Sequence, residues 1–321
     1  MKTSIAFAFG MFLLIRLTGQ AEPQVLPIRE GQDQESYRIS VNVNLVVLYA
    51  TVRDREGRFV SDLREQSFEI YEDGVPQPIR LFRREDVPVT VGLVVDHSGS
   101  MRSKLPDVIA AARSFVQTSN PEDRMFVINF NEKVTLGLPG AMAFSNRSED
   151  LERAISKTPA TGMTALYDAT VEALKRLQTG SRDKSAVIVI SDGGDNASKH
   201  KLTQLLHLAG QSTAVIYAIG VFEKDDPDGN PGVLNRLARA TGGEAYFPRQ
   251  LNDVVGICER IARDIRNQYT IGYVSNSPAK PGAYRSIRVA ARAVGYGKLV
   301  VRTRAGYIAG ESGLVQNQGA K

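Results

Sequence analysis

Hydrophobic positions change their spacing several times along the 321-residue chain. Between residues 88 and 266, runs in which nearly every residue is apolar alternate with stretches in which apolar residues recur every three or four positions. The first pattern is typical of strands buried on both faces, and the second of helices packed against a sheet. We therefore expect a doubly wound α/β fold with a mostly parallel sheet. The strand runs are VTVGLVVD, RMFVINF, SAVIVISD and TAVIYAIG, and the helical stretches include Leu105–Thr118, Ala165–Leu177, Leu202–Ala209 and Gly232–Thr241.

The segments on either side of this region have β patterns. Residues 37–87 contain the long run RISVNVNLVVLYATVRD and two further strand-like runs about an Asp-Gly pair, which is a hairpin signal. Residues 267–308 contain the runs QYTIGYVS, YRSIRVAARA and KLVVRTRAGY. Because either segment alone has too few strands for a stable core, we expect the two to pack together as a β-rich domain.

The first 21 residues have the pattern of a secretory signal peptide. Lys2 precedes an apolar stretch over residues 5–15, and the small residues Gly19 and Ala21 stand where a signal peptidase cleaves. The apolar stretch is too short to span a bilayer comfortably, which makes a retained anchor the weaker alternative. We therefore expect an exported protein, periplasmic or extracellular, with no stable membrane insertion after cleavage.

Composition and charge narrow the classes of partner. Cleavage after residue 21 would remove two of the 40 basic residues and none of the 35 acidic ones, which leaves 38 against 35 and a net charge of +3. This excess is too small to predict a nucleic-acid partner. The single cysteine, Cys258, excludes an intramolecular disulfide, and its apolar neighbours at helical spacing predict a buried thiol. Residues 22–36 are interpreted as a linker and residues 309–321 as a flexible tail.

Oxygen-bearing side chains stand at the ends of two predicted strands and at the start of one predicted helix. Asp96, Ser98 and Ser100 follow the first apolar strand in the sequence DHSGS. Asp192 follows a later strand in SDG, and Thr164 precedes a helix in ATGMTALYDA. Ligands of open α/β sheets bind at the carboxyl ends of the strands, so we expect these five side chains to meet at one point.

The five side chains would offer only hydroxyl and carboxylate oxygens. Such hard ligands suit a divalent cation, with Mg²⁺ expected first and Mn²⁺ or Ca²⁺ as alternatives, rather than a thiophilic ion. Alternate residues of an extended or turning backbone point the same way, so Asp96, Ser98 and Ser100 can face one ion. Three neutral hydroxyls and at most two carboxylates would leave a divalent ion with little excess negative charge around it. The ion would therefore accept a carboxylate from a partner.

The order and spacing of these residues resemble the metal-ion-dependent adhesion site of von Willebrand factor type A domains. Every position of that family's site has a matching residue here, namely Asp96, Ser98, Ser100, Thr164 and Asp192. The sequences TALYDA, LARATGGEAYF and QYTIGYVS also resemble exported bacterial proteins related to this family, and the resemblance covers roughly residues 40–308. It implies that the hydroxyls of Ser98, Ser100 and often Thr164 contact the metal, while the two carboxylates act directly or through water.

The resemblance implies an exported protein-interaction or adhesion module rather than an enzyme, with no catalytic residue and with the ion bridging to an acidic side chain of a protein partner. Two alternatives stay open. A divalent ion with open positions can activate water, which would make the chain a metal-dependent hydrolase, although only Asp168 and Asp195 stand nearby as candidate bases. The other alternative is a structural envelope component whose fold the ion stabilises.

Two interpretations without a metal ion are weaker. Asp and Ser are frequent helix N-caps, so Asp96 and the serines could cap a helix that begins near Arg102, but this explains only one of the three loops. A serine hydrolase needs a base beside its nucleophile, and His97 adjoins Ser98 in sequence, which makes a hydrogen bond between their side chains awkward. We interpret His97 as a bystander whose side chain points away from the ion.

Overall fold

The computed structural model describes residues 45–84, 86–178, 184–222, 229–276 and 282–309. The predicted signal peptide, the predicted linker and all but the first residue of the predicted tail lie outside these ranges. None of the helices in the described ranges is long and apolar enough to cross a membrane.

Strands and helices are numbered in chain order over the described residues. The strands are β1 (Leu45–Arg53), β2 (Phe68–Glu72), β3 (Val75–Gln77), β4 (Ile79–Arg83), β5 (Thr90–Asp96), β6 (Arg124–Phe130), β7 (Val134–Leu136), β8 (Ser185–Ser191), β9 (Val215–Gly220), β10 (Ala245–Tyr246), β11 (Tyr269–Val274), β12 (Tyr284–Ala291), β13 (Val300–Arg302) and β14 (Gly306–Ile308). The helices are α1 (Leu105–Thr118), α2 (Ser148–Ser156), α3 (Leu166–Gln178), α4 (Leu202–Gln211), α5 (Pro231–Thr241) and α6 (Asp253–Arg266).

A mostly parallel sheet forms the centre of the fold, with the strand order β10-β9-β8-β5-β6-β7. All neighbouring pairs are parallel except β6 and β7, which are antiparallel at one edge. Every residue of β5, β8 and β9 is buried, as expected for strands that are covered by helices on both faces. The predicted doubly wound α/β fold is confirmed.

The sequence pattern does not predict α2 or β7. Helix α2 buries only three side chains, those of Leu151, Ala154 and Ile155, and these are too few to give a clear periodic signal. Strand β7 has three residues, none of them buried. Both elements lie between β6 and α3, where the sequence is mostly polar.

Strands from the two predicted β segments pair with each other, as expected. Strand β1 is antiparallel to β11 and to β13, and β2 is antiparallel to β12. The resulting sheets have the orders β13-β1-β11-β4 and β14-β12-β2-β3. The predicted hairpin joins β2 to β3 through Asp73 and Gly74, which both have positive φ, as the favoured two-residue turn requires.

The run KLVVRTRAGY, expected as one strand, is two strands in different sheets. Between β13 and β14, the Arg304 guanidinium donates hydrogen bonds to the backbone oxygens of Gly210 and Ser212, at the C-terminus of α4. Those carbonyls have no partner inside the helix, and a cation near them is favourable. The chain thus leaves one sheet, caps a helix, and continues in the other sheet.

A cluster of charges joins the antiparallel strands to the α/β region. Asp264 of α6 is completely buried and accepts hydrogen bonds from the guanidinium of Arg302 and the hydroxyl of Tyr217. The Arg53 guanidinium lies 3.8 Å from the Asp264 carboxylate and 3.0 Å from that of Glu244. At this junction, each of the two carboxylates is paired with arginine.

Candidate metal centre

The loop after β5 is organised by the Asp96 carboxylate. Its Oδ1 accepts the backbone N–H of Ser98 at 2.8 Å, and its Oδ2 accepts the hydroxyl of Ser191 at 2.6 Å. The side chain is completely buried, and this burial raises the pKa of Asp96 to about 6 against the opposing effect of those hydrogen bonds; the nearby charge of Asp192 raises it further. Both carboxylate oxygens therefore fix the loop, in a setting that disfavours their negative charge.

Three oxygens from two strand ends converge beside this loop. The Ser98 and Ser100 hydroxyls are 3.1 Å apart, and the Ser100 hydroxyl donates to Oδ2 of Asp192 at 2.7 Å. Asp192 directly follows β8 and is 2 % exposed, and its Oδ1 accepts the backbone N–H of Gly194. Ser98 is also buried whereas Ser100 is exposed, so the cluster is open to solvent on the side of Ser100.

Backbone hydrogen bonds join the loop after β5 to the loop before α3. The Gly99 N–H donates to the carbonyl of Gly162 at 3.2 Å, and the Thr161 N–H donates to the carbonyl of His97 at 2.8 Å. The second loop carries Thr164, which is 7 % exposed. The site residues predicted from the sequence are thus held by loops that contact one another.

The two carboxylates of this cluster, those of Asp96 and Asp192, are both buried. Among the described residues, no Lys, Arg or His side chain forms an ion pair with Asp96 or Asp192. The same part of the chain contains no group of three or more His, Cys, Asp or Glu side chains that could hold a metal. Any cation at this place would therefore be held by hydroxyls together with carboxylates.

The spacing of the oxygens fits a small octahedral ion. Adjacent ligands of Mg²⁺, with metal–oxygen bonds of about 2.0–2.1 Å at right angles, lie about 2.9 Å apart. The two measured separations, 3.1 Å between the serine hydroxyls and 2.7 Å from Ser100 to Asp192, lie on either side of that value. Both separations are hydrogen bonds, so they are compatible with such an ion without requiring it, and it is the oxygen chemistry of the residues that suits the predicted divalent ion.

Comparison with known families gives a match over the strands and loops that build this cluster. The family model described as von Willebrand factor type A domain matches residues 91–194, from β5 to the loop after β8. The chain contains a von Willebrand factor type A domain. The predicted family resemblance is confirmed, and the matched region carries every residue of the candidate metal centre.

Solved structures with this fold include a von Willebrand factor type A protein from Catenulispora acidiphila, which is 13% identical, with a TM-score of 0.51, over 83% of this chain and 74% of that one. The von Willebrand domain of the type V pili tip protein Mfa5 from Porphyromonas gingivalis is 14% identical over 56% of this chain and 95% of that one, with a TM-score of 0.47. BatB from Bacteroides thetaiotaomicron is 16% identical over 55% and 97%, with a TM-score of 0.45. Comparison with curated protein sequences gives no match. At 13% identity, the likeness to the Catenulispora acidiphila protein concerns the fold alone.

The helix-cap alternative is wrong for this von Willebrand type A domain. Helix α1 begins at Leu105, not near Arg102, and Lys104 at its N-cap position makes no side-chain capping bond. The short 3₁₀ turn Gly99–Met101 follows Ser98, which also makes no capping bond. The serine hydroxyls are therefore directed to the cluster rather than to a helix end.

The histidine within the motif is part of the protein interior. His97 is completely buried, and its backbone N–H donates to the carbonyl of Phe130 at 2.6 Å. Burial lowers the pKa of its imidazole, which favours the neutral ring. The groups that act on the pKa of the ring are Asn129 and the Thr158 backbone rather than the two carboxylates.

The two carboxylates considered as candidate bases are engaged in holding a loop. Asp168, in the first turn of α3, accepts the backbone N–H of Lys199 and of His200 and lies 2.6 Å from Nδ1 of His200. Burial alone would raise the pKa of Asp168, but these hydrogen bonds outweigh it and the pKa is lowered. Asp195 accepts the Tyr167 N–H at 2.9 Å and a serine hydroxyl at 2.6 Å. Their hydrogen bonds connect the loop after β8 to the start of α3.

Sequence reasoning missed Ser191, the last residue of β8. Its hydroxyl donates to Asp96 and accepts the backbone N–H of Gly193, so it joins two strand ends below the cluster. The signal was available, since Ser191 is the serine of the motif SDG. Gly193 has φ of +83°, and a Cβ there would lie 2.5 Å from the Asn230 carbonyl oxygen, so only glycine fits.

Proposed function

We propose that this chain is a metal-dependent binding module that captures a carboxylate of a protein partner. A divalent cation, most simply Mg²⁺, would be held by the hydroxyls of Ser98, Ser100 and Thr164, with Asp96 and Asp192 acting directly or through water. Von Willebrand type A domains typically serve in protein interaction or adhesion, generally without catalysis. The observation that carries the proposal is the pair of buried carboxylates beside converging hydroxyls, without a paired Lys, Arg or His among the described residues.

The carboxylates and the hydroxyls of the cluster would have different roles in binding the ion. Asp96 fixes the loop and, with Asp192, contributes two negative charges, which balance a divalent ion. The serine hydroxyls are neutral and do not add to that charge, so a bound ion would supply an electrophilic position for another carboxylate. Ser100 is on the exposed side of the cluster, which is where a partner can approach. A third carboxylate in the cluster would instead leave excess negative charge around the ion and oppose an acidic partner.

The proposal also includes export to the periplasm or the exterior. The support is the signal-peptide pattern of residues 1–21. Cell fractionation of the expressed full chain, with mass determination of its N-terminus, tests this part. Cleavage after Ala21 and recovery outside the cytoplasm are expected; an intact Met1 in the cytoplasm would contradict it.

Metal binding is tested on residues 22–321 by chemical unfolding in EDTA and in Mg²⁺, Mn²⁺ or Ca²⁺. An ion that binds only the folded protein stabilises it by about 2.7 kcal/mol at 100 times its dissociation constant. We expect this gain for the natural sequence and its loss in a Ser98→Ala/Ser100→Ala variant. Ser156→Ala, an exposed serine at the end of α2, is the matched control and should keep the gain. No gain with any of the three ions would overturn the metal site.

Partner chemistry is tested with immobilised peptides that carry a single Asp or Glu, each beside its Asn or Gln counterpart. Binding to the acidic peptides alone, only with the metal ion and only with both serines present, is the expected result. Stabilisation by the ion without any carboxylate-dependent binding would instead favour the structural alternative. Hydrolysis of a peptide that stops in the serine variant would favour the hydrolase.

A further inference from the structure

The loop that carries Thr164 makes an unusual set of backbone contacts just before α3. Three consecutive N–H groups in it, those of Met163, Thr164 and Ala165, donate to acceptors outside the loop. The first N–H groups of a helix region lack partners within the helix and need acceptors from elsewhere. Here the acceptors come from the loop after β6 and from the loop after β8, so they tie Thr164 to two other parts of the chain.

Glu132 supplies the first of these acceptors. Its Oε2 accepts the Met163 N–H at 3.2 Å, and the same carboxylate occupies the space above Gly162. A Cβ on Gly162 would lie 1.8 Å from that oxygen, and the φ of +82° there also favours glycine. The neighbouring backbone helps, because the Asn131 carbonyl accepts the Ala165 N–H at 2.8 Å. The loop after β6 thus holds the Thr164 loop on both sides of Thr164.

Asn196 supplies the acceptor for Thr164 itself. Its Oδ1 accepts the Thr164 N–H at 2.8 Å, and its own N–H donates to the Thr164 carbonyl at 3.0 Å. This reciprocal pair sets both peptide groups of Thr164 against the loop that also carries Asp192. Asn196 and Glu132 are both exposed, so neither contact fills the hydrophobic core.

From these contacts we infer that Glu132 and Asn196 are positioning residues for the Thr164 side of the metal centre. This inference rests on the proposed metal binding. Neither side chain needs to touch the ion: Asn196 fixes the backbone of Thr164 and Glu132 fixes the residue before it. Groups that orient metal ligands typically change metal affinity 10- to 100-fold when removed.

The test is Mg²⁺ affinity, measured by calorimetry, on residues 22–321. Asn196→Ala should weaken binding about 10-fold, and Glu132→Ala about as much or somewhat less, because it holds Thr164 through one residue more. Asn196→Asp and Glu132→Gln each keep an oxygen that can accept the same N–H, and both should restore most of the affinity. The exposed neighbours Lys199→Ala and Lys133→Ala are the matched controls and should bind like the natural sequence.

A second measurement does not need the ion. Amide hydrogen exchange in EDTA should become faster at Met163 in Glu132→Ala and at Thr164 in Asn196→Ala, while the free energy of unfolding in EDTA changes little. Natural affinity in both alanine variants, although the natural sequence binds Mg²⁺, would overturn the positioning roles. Glu132→Gln binding as weakly as Glu132→Ala would overturn the role of its hydrogen bond, because charge alone would then explain the effect. No binding of Mg²⁺, Mn²⁺ or Ca²⁺ by the natural sequence would instead reject the metal proposal together with this one.

Discussion

Two regions of the molecule bury carboxylates, and they balance the charge differently. At the junction between α6 and the antiparallel strands, Asp264 is completely buried and pairs with Arg302, with Arg53 at 3.8 Å. At the edge of the parallel sheet, Asp96 and Asp192 are just as buried. Within the described residues no basic side chain forms an ion pair with either of them. The first region carries its own cations, and the second has hydroxyls in the corresponding places.

This difference separates a charge pair formed within the chain from buried carboxylates that, under the proposed function, would be balanced by an ion from solution. An unpaired charge inside a protein is costly, so a buried carboxylate must be paired, hydrogen-bonded or protonated. Arginines that are part of the chain meet this need at the junction under all conditions. At the sheet edge, burial raises the pKa of Asp96 to about 6, which shows that its negative charge is disfavoured there. A cation from solution could stabilise that charge. Under the proposed function, a bound cation would meet this need and would leave coordination positions for a partner.

The largest expected effect tests the charge pair formed within the chain. Asp264→Ala leaves Arg302 and Arg53 without their buried partner, and removal of one member of a buried pair typically costs about 3–5 kcal/mol. Because both arginine side chains are about one-fifth exposed, at 21% and 22%, we expect the lower end, about 3 kcal/mol, in urea unfolding with EDTA present. Arg263→Ala, on the exposed side of the same helical turn, should change the free energy of unfolding by less than about 0.5 kcal/mol. A loss under about 1 kcal/mol for Asp264→Ala would mean that the pair contributes little.

The next effect concerns a cation near the junction that is only partly compensated. The Lys184 ammonium donates to the carbonyl of Ile265 in α6 and lies 5.7 Å from the centre of the Tyr49 ring. Burial lowers the pKa of Lys184 to about 8, although Asp86, Asp264 and Asp123 act to raise it. The unfolded chain keeps this proton up to about pH 10.4, so between pH 8 and 10.4 it binds more protons than the folded chain. The contribution of Lys184 to stability therefore increases as pH rises through this window.

The measurement compares the natural sequence with Lys184→Met at pH 7.5 and 9.5. Relative to the variant, the natural sequence should gain about 1–2 kcal/mol between these values. The comparison with the variant is needed because Cys258 also titrates in this range. Burial raises the pKa of its thiol to about 12, so stability falls as pH rises in both proteins, and this effect cancels in the difference between them. A constant difference between the two proteins would show that Lys184 stays fully protonated in the folded state.

The parallel sheet was open to prediction from the sequence because its elements are long and strongly patterned. Helix α1 runs from Leu105 to Thr118, as its apolar spacing indicates, and β5 and β8 are continuous apolar runs. Helix α2, with three buried positions, and the break at Arg304 left no comparable pattern. The break depends on where α4 ends in space, which local spacing does not encode.

The residues of the candidate site also fall into those that could be predicted from the sequence and those that could not. The residues from Asp96 to Asp192 could be proposed because each has an oxygen and stands at the end of a strand or the start of a helix. Glu132 and Asn196 could not be proposed from the sequence, because their partners are backbone N–H groups of another loop. Every residue except proline has such a group, so the partner's sequence gives no signal. Only the folded arrangement shows which amide each side chain meets.

The smallest expected effect concerns Asp192, and its sign distinguishes the sheet edge from the junction at Asp264. Asp192→Asn in EDTA removes one of two neighbouring buried negative charges, while an amide oxygen can still accept the Gly194 N–H. We expect the free energy of unfolding to stay the same or rise by up to about 1 kcal/mol, the opposite of the effect of Asp264→Ala. In Mg²⁺ the variant should lose most of the stabilisation that the natural sequence gains, whereas Glu122→Gln, an exposed carboxylate, should keep it. If Asp192→Asn instead lost about 3 kcal/mol in EDTA, Asp192 would be a structural carboxylate like Asp264, and its charge would have to be balanced within the protein rather than by an ion from solution.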